Sequence, residues 1–124
     1  MFTEGLVSLA NPQRRPLSTD SIVITIRSFD QPDIVLGGAR IPVTKASFPI
    51  SFRMFLKNIL AEKKADWQTA KEGDLLVQAV VCPEDMPRCE TGSLQAKGVA
   101  TLIRNLPGLA EGQTIRAPVA LRLE

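Results

Sequence analysis

The sequence predicts an all-β chain: an antiparallel two-sheet β-sandwich of about seven strands, immunoglobulin-like in outline, with one short helical insertion. Three observations carry that prediction. Apolar residues alternate with polar ones at period two in run after run, turn-forming residues stand between the runs, and one stretch alone has helical spacing. The chain has 124 residues, 44% apolar and 23% charged, the make-up of a single globular domain over residues 1–124. At this size folding buries about two thirds of the unfolded chain's surface, enough for a hydrophobic core without metal support.

The elements follow in order. Residues 5–9 form a weak first strand. Residues 21–29 put Ile22, Ile24 and Ile26 on one face and Val23, Thr25 and Arg27 on the other, a half-buried strand. Residues 33–43 read as a strand bulged at Gly37-Gly38, a pair that lacks the spacing of a phosphate loop or dinucleotide fingerprint. In residues 48–55, Phe48, Ile50, Phe52 and Met54 alternate with Pro49, Ser51 and Arg53. Residues 74–82 are apolar on nearly both faces, which marks a central strand. Residues 94–103 add another, with Lys97 and Thr101 outward and Gly98 where a neighbouring strand comes close. The last strand runs from Ile115 through Ala117, Val119 and Leu121 to Leu123 on the core face. Arg116 and Arg122 point to water, and Pro118 marks an edge. Asn11-Pro12, Asp30-Gln31-Pro32, Glu72-Gly73, Pro107-Gly108 and Glu111-Gly112 are the intervening turns. Leu56, Leu60, Lys63 and Trp67, spaced by four, three and four, predict a short amphipathic helix capping one end of the sheets.

Composition narrows the chemistry. There are no histidines and no tyrosines, which removes the Ser-His-Asp and Cys-His pairs, the zinc-protease helix and the commonest general base near neutral pH. A non-catalytic protein is the expectation, with no cofactor and no metal. The net charge is +2 and the 15 Lys and Arg residues are scattered, so no nucleic-acid footprint is present. The longest apolar runs fall far short of the roughly 20 residues that span a bilayer. Residues 1–10 lack a basic stretch followed by a long apolar one, so the protein is either cytosolic or has lost a targeting segment.

The two cysteines choose between those compartments. Cys82 and Cys89 enclose six residues, two of them proline, directly after the central strand. Closing a ring of about 8 residues contributes about 2.5 kcal/mol in the chain-entropy model. A Cys82–Cys89 disulfide is therefore expected, with two structural thiols as the other reading, and a disulfide places the protein in an oxidising space such as a periplasm or thylakoid lumen. Two sulfurs without a histidine do not complete a zinc site. Glu84 and Asp85, with Glu90, make this loop acidic, but not at the spacing of a calcium loop.

Candidate contact residues for a protein partner are Arg14 and Arg15 in the loop flanked by Pro12 and Pro16, the lone Trp67, the acidic pair Glu84 and Asp85, and Arg116 and Arg122 on the edge strand. Trp67 has a second reading, as an apolar cap over the open end of the sandwich. The order Ile22-Val-Ile-Thr-Ile-Arg27, Ala39-Arg-Ile-Pro-Val43, Phe48-Pro-Ile-Ser-Phe52, Leu75 to Val81 and a late Gly98 resembles the small periplasmic β-sandwich domain of a bacterial cytochrome c biogenesis chaperone, and the pilotin-like periplasmic lipoproteins. The resemblance covers about residues 20–103 and rests on strand pattern and spacing. It implies a non-enzymatic sandwich working outside the cytoplasm. Residues 58–73 and the Cys82–Cys89 loop depart from it. The function expected is an extracytoplasmic protein-binding module, an assembly factor, chaperone-like domain or accessory subunit of a membrane-associated complex that acts through a sheet face or edge. The alternative is a small-ligand or carbohydrate-binding sandwich.

Overall fold

Isoleucines at every second position cannot all face water, and burying each one fully contributes about 1.5–3 kcal/mol. In the computed structural model, which describes residues 2–13, 15–43, 48–83, 94–103 and 115–124, Ile22, Ile24 and Ile26 are completely buried. They belong to β2 (Ser21–Ser28), which follows β1 (Thr3–Leu9) and precedes β3 (Val35–Pro42) and β4 (Ile50–Met54). Two 3-10 turns, Leu56–Asn58 and Ala61–Lys63, lead into the helix α1 (Lys64–Ala70). The chain continues through β5 (Leu75–Cys82), β6 (Gln95–Ala100), β7 (Leu102–Ile103), β8 (Ile115–Arg116) and β9 (Val119–Leu123).

Two sheets share one core. A four-stranded sheet has the order β3-β2-β5-β6 and a three-stranded sheet the order β4-β1-β9, with β7 and β8 as a separate short ribbon. The four-stranded sheet supplies Ile24, Val77 and Ala96 to a core cluster to which the other sheet supplies Val7, Phe52 and Leu121. The mostly β, sandwich-like arrangement is thus present, and β5 is a central strand as its composition implies. Its second face is covered as well: Val80 and Cys82 form a small cluster with Val23 on the side away from the main core.

Three expectations need correction. The sheets are not wholly antiparallel, because β9 pairs parallel to β1 from Gly5↔Val119 to Leu9↔Leu123. Period-two patterning says which face of a strand is buried but not which neighbour it takes or in which direction. The last run is also not one strand. Ala117 and Pro118 interrupt it, β8 pairs with β7 through Leu102↔Arg116, and β9 begins afresh at Val119. Finally, the helix starts only at Lys64, so Leu56 and Leu60 lie outside it and face solvent, while Ile59 between them is buried.

Close approach explains two glycines. On β3 the register against β2 slips between Ile26 and Arg27, whose partners are Gly37 and Val35. The intervening Leu36 turns into the core and its carbonyl accepts the Leu60 N–H at 2.8 Å. Gly37 bridges to Ile59, and a Cβ there would sit 2.1 Å from the Asn58 carbonyl oxygen. Gly98 fulfils its expected role, since a Cβ on it would meet a Val119 methyl at 2.5 Å and a Leu121 methyl at 3.0 Å. The edge strands of the two sheets, β6 and β9, draw together at this point, and the Glu124 N–H donates to the Gln95 carbonyl.

Candidate partner-binding surface

The three-stranded sheet presents an outward face because its strands alternate so cleanly. Ile50, Phe52 and Met54 enter the core, leaving Ser51 and Arg53 exposed; Val119, Leu121 and Leu123 do the same on β9, leaving Ala120 and Arg122. Between them β1 contributes Leu6, which is 48% exposed at the middle of the sheet. Glu4 pairs with Arg53 at 3.8 Å across β1 and β4, an exposed ion pair worth less than about 1 kcal/mol that fixes little. A shallow depression of about 460 Å³ runs along Leu6, Ser51, Arg53 and Pro118.

Two of the predicted residues lie at grooves that border this sheet. Arg122 stands opposite Ser8 in the parallel register. Ser8 also borders a groove of about 380 Å³, with Leu9, Pro12, Arg15, Phe48 and Pro49. Arg15 borders this groove, while Arg122 lines a different one, of about 350 Å³, with Gln95, Lys97, Ala120 and Glu124 toward β6; both arginines are exposed to solvent. The turn carrying Arg15 is held on one side by the Gln13 N–H donating to Asn11 Oδ1 at 3.0 Å. On the other, the Leu17 N–H donates to Asp20 Oδ2 at 2.9 Å.

Two other predicted contact residues lie elsewhere, contrary to expectation. Trp67 is 5% exposed with its ring centroid 4.5 Å from that of Phe2. It is the cap over the end of the core and no surface anchor, because a large apolar ring on a helix facing an open sandwich end buries more surface there than in water. Arg116 does not point to water. The break at Pro118 frees β8 from the alternation of β9, and the side chain, 5% exposed, turns inward. Its Nη1 donates to the carbonyls of Gly73 at 2.7 Å and Ala100 at 3.3 Å, and its Nη2 to that of Lys71 at 2.5 Å. A cation on the carbonyls ending a helix is well placed electrostatically. Burial pushes the Arg116 pKa below its ordinary value, and Asp74 and Glu72 oppose that shift. Arg14, Glu84, Asp85 and Cys89 lie outside the described residues, as does any Cys82–Cys89 bond. Cys82 itself is buried, with Arg40 Nη2 donating to its Sγ at 3.2 Å.

A further concavity was not legible in the sequence. At the α1 end of the molecule a cleft of about 560 Å³ is bordered by Ser28, Asp30, Gln31, Asp66, Thr69 and Glu72 over a floor of Ile34, Leu36 and Ala70. Asp30-Gln31 and Glu72 register in the sequence only as turn residues; nothing in their spacing, about 40 residues apart, shows that they face one cleft. Among the described residues no group of three or more acidic or thiol side chains is placed to hold a metal ion. No described helix is long and apolar enough to cross a membrane. Compared with protein-family models, with curated proteins and with solved structures, the chain finds no match in any of the three.

Proposed function

We propose that this protein is a non-catalytic protein-binding module that engages its partner with the outward face of the three-stranded sheet. The observation that carries the reading is the make-up of that face: Leu6 is 48% exposed at its middle, Arg122 stands opposite Ser8 on the neighbouring strand, and Arg15 borders a partly apolar groove that Ser8 also lines. Arginine beside an apolar anchor is the composition of an interaction hot spot, and the exposed arginines suit an acidic, extended segment of a partner protein. Strand addition at β9 is disfavoured by the approach of β6 to its open side, so face contact replaces the edge contact that Pro118 first indicates. In this reading the module is an assembly factor, chaperone-like domain or accessory subunit of a membrane-associated complex outside the cytoplasm, and its three-plus-four strand count supports an immunoglobulin-like outline.

The test is capture from native membranes and soluble extract with the folded, unreduced protein as bait, alongside the Arg15→Glu/Arg122→Glu variant. One stoichiometric partner, depleted at least about tenfold by the double substitution, is expected for two exposed charges reversed along a binding surface. Equal recovery by both baits would sink the reading. The alternative, a carbohydrate or other small-ligand binder, draws on the polar rim and apolar floor of the α1 cleft. It predicts glycan binding that Asp66→Asn with Thr69→Val abolishes and Arg15→Glu leaves alone.

A further inference from the structure

The segment joining β4 to α1 carries a surface that the sheet-face reading does not use. Phe55, Leu56 and Leu60 are 39%, 66% and 41% exposed, three large apolar side chains within six residues. They are held outward by a built scaffold. Phe55 N–H donates to Asn58 Oδ1 at 2.8 Å, Ile59 N–H to the Leu56 carbonyl at 3.1 Å, and Leu60 N–H to the Leu36 carbonyl at 2.8 Å. Ile59 is buried and bridged to Gly37, so the turn is pinned to β3 through the residue between the two exposed leucines. The segment is also basic. Lys57 Nζ lies 5.5 Å from the Phe55 ring centroid, Lys57 and Lys64 are exposed, Lys63 is half-buried, and Arg53 precedes them on β4 with its side chain largely in solvent. Glu62 is the one acid in residues 53–64.

We propose that residues 53–64 form a peripheral docking site for an anionic lipid surface, Phe55, Leu56 and Leu60 entering the headgroup–acyl boundary while Arg53, Lys57, Lys63 and Lys64 meet the headgroup charge. Charge complementarity selects this occupant. Lysine is depleted from the centres of protein–protein interfaces, whereas apolar side chains interleaved with lysine are the composition of interfacial membrane segments. The long lysine stems lie along the boundary and carry their charges to the headgroups. The apolar side chains are exposed on and beside two tight turns, which fits insertion into a soft surface. The site shares Arg53 alone with the outward face of the three-stranded sheet, and neither proposal rests on the other.

The experiment is co-sedimentation of the whole protein with vesicles of phosphatidylcholine alone and of phosphatidylcholine containing phosphatidylglycerol, for the native chain, Leu56→Ser/Leu60→Ser, Lys57→Ala and Arg15→Glu/Arg122→Glu. All changed side chains are exposed, and the emission of the buried Trp67 reports that each variant is folded. The native chain should bind the anionic vesicles alone. Leu56→Ser/Leu60→Ser should weaken that binding at least about tenfold, since burying two leucines drives the insertion. Lys57→Ala should weaken it about fivefold, and Arg15→Glu/Arg122→Glu should leave it within about threefold, the effect of distant charge alone. Absence of binding to anionic vesicles overturns the proposal. So does salt-sensitive binding unaffected by the leucine substitutions, which would be charge adsorption without insertion. Loss of a protein partner by Leu56→Ser/Leu60→Ser in a chain that ignores vesicles overturns it too, and assigns the patch to a protein contact.

Discussion

Two arginines six positions apart on the same run have opposite fates, and a single proline separates them. Arg122 stays on the exposed face of β9, whereas Arg116 satisfies the carbonyls of Lys71, Gly73 and Ala100. Truncating the buried one leaves three carbonyls without their donor, and hydrogen bonds to a charged group contribute about 1.5–3 kcal/mol each before the cost of burying the charge is set against them. Arg116→Ala should therefore lower unfolding free energy by about 3 kcal/mol and Arg122→Ala by less than about 0.5 kcal/mol. Both are read as denaturant midpoints at unchanged slope, and equal midpoints would refute the latch. The pH dependence has a fixed sign. Because burial lowers the Arg116 pKa, the native state gives up that proton first as pH rises, the unfolded state then binds more protons, and stability rises with pH through that window. The window is strongly alkaline, so Arg116 imposes no slope near neutrality. This latch was illegible in the sequence. Alternation assigns Arg116 to the wet face, and only the interruption at Ala117-Pro118 undoes that assignment.

Among the elements, those whose pattern depends on their own faces were legible, and those defined by a neighbour were not. The alternation of β2, β4 and β9 and the double-sided burial of β5 follow from local sequence. The bulge at Gly37 and the close approach at Gly98 were legible because glycine inside a strand has few other uses. What fills the missing side chain's space was not. At Gly37 it is a backbone carbonyl, which cannot rotate away; at Gly98 it is the methyls of Val119 and Leu121, which yield by small shifts of β9. Gly37→Ala should accordingly cost more than about 3 kcal/mol and detach the 3-10 segment from β3. Gly98→Ala should cost about 1–2 kcal/mol, within the range for modest overpacking. Thermal unfolding of the pair checks the order, and a Gly98→Ala loss larger than that of Gly37→Ala would contradict the geometry.

For the whole molecule, charge and composition pointed toward a binding protein while the proposed binding face stayed hidden. Arg122 comes beside Ser8 only because β9 returns along β1, and Leu6 is one more apolar residue until a sheet leaves it uncovered. The proposed compartment carries its own test. If the protein works in an oxidising space with Cys82 and Cys89 joined, the unreduced chain unfolded in denaturant should show no reactive thiol. A count of two, the chain's full cysteine content, would return it to a reducing one. The same long-range closure governs folding: β1 cannot find β9 until nearly the whole chain has been drawn together, so folding should be slow for its size.

The parallel pairing of β1 with β9 also decides how the module bears load. With Gly5 beside Val119 and Leu9 beside Leu123, the leading end of the first strand and the trailing end of the last point in opposite directions along a shared ladder. Tension applied through the two ends of this chain would slide the strands past each other, straining all the bonds of that ladder at once instead of peeling them one by one. A sandwich closed this way should therefore yield to such a pull only when that whole ladder gives way together.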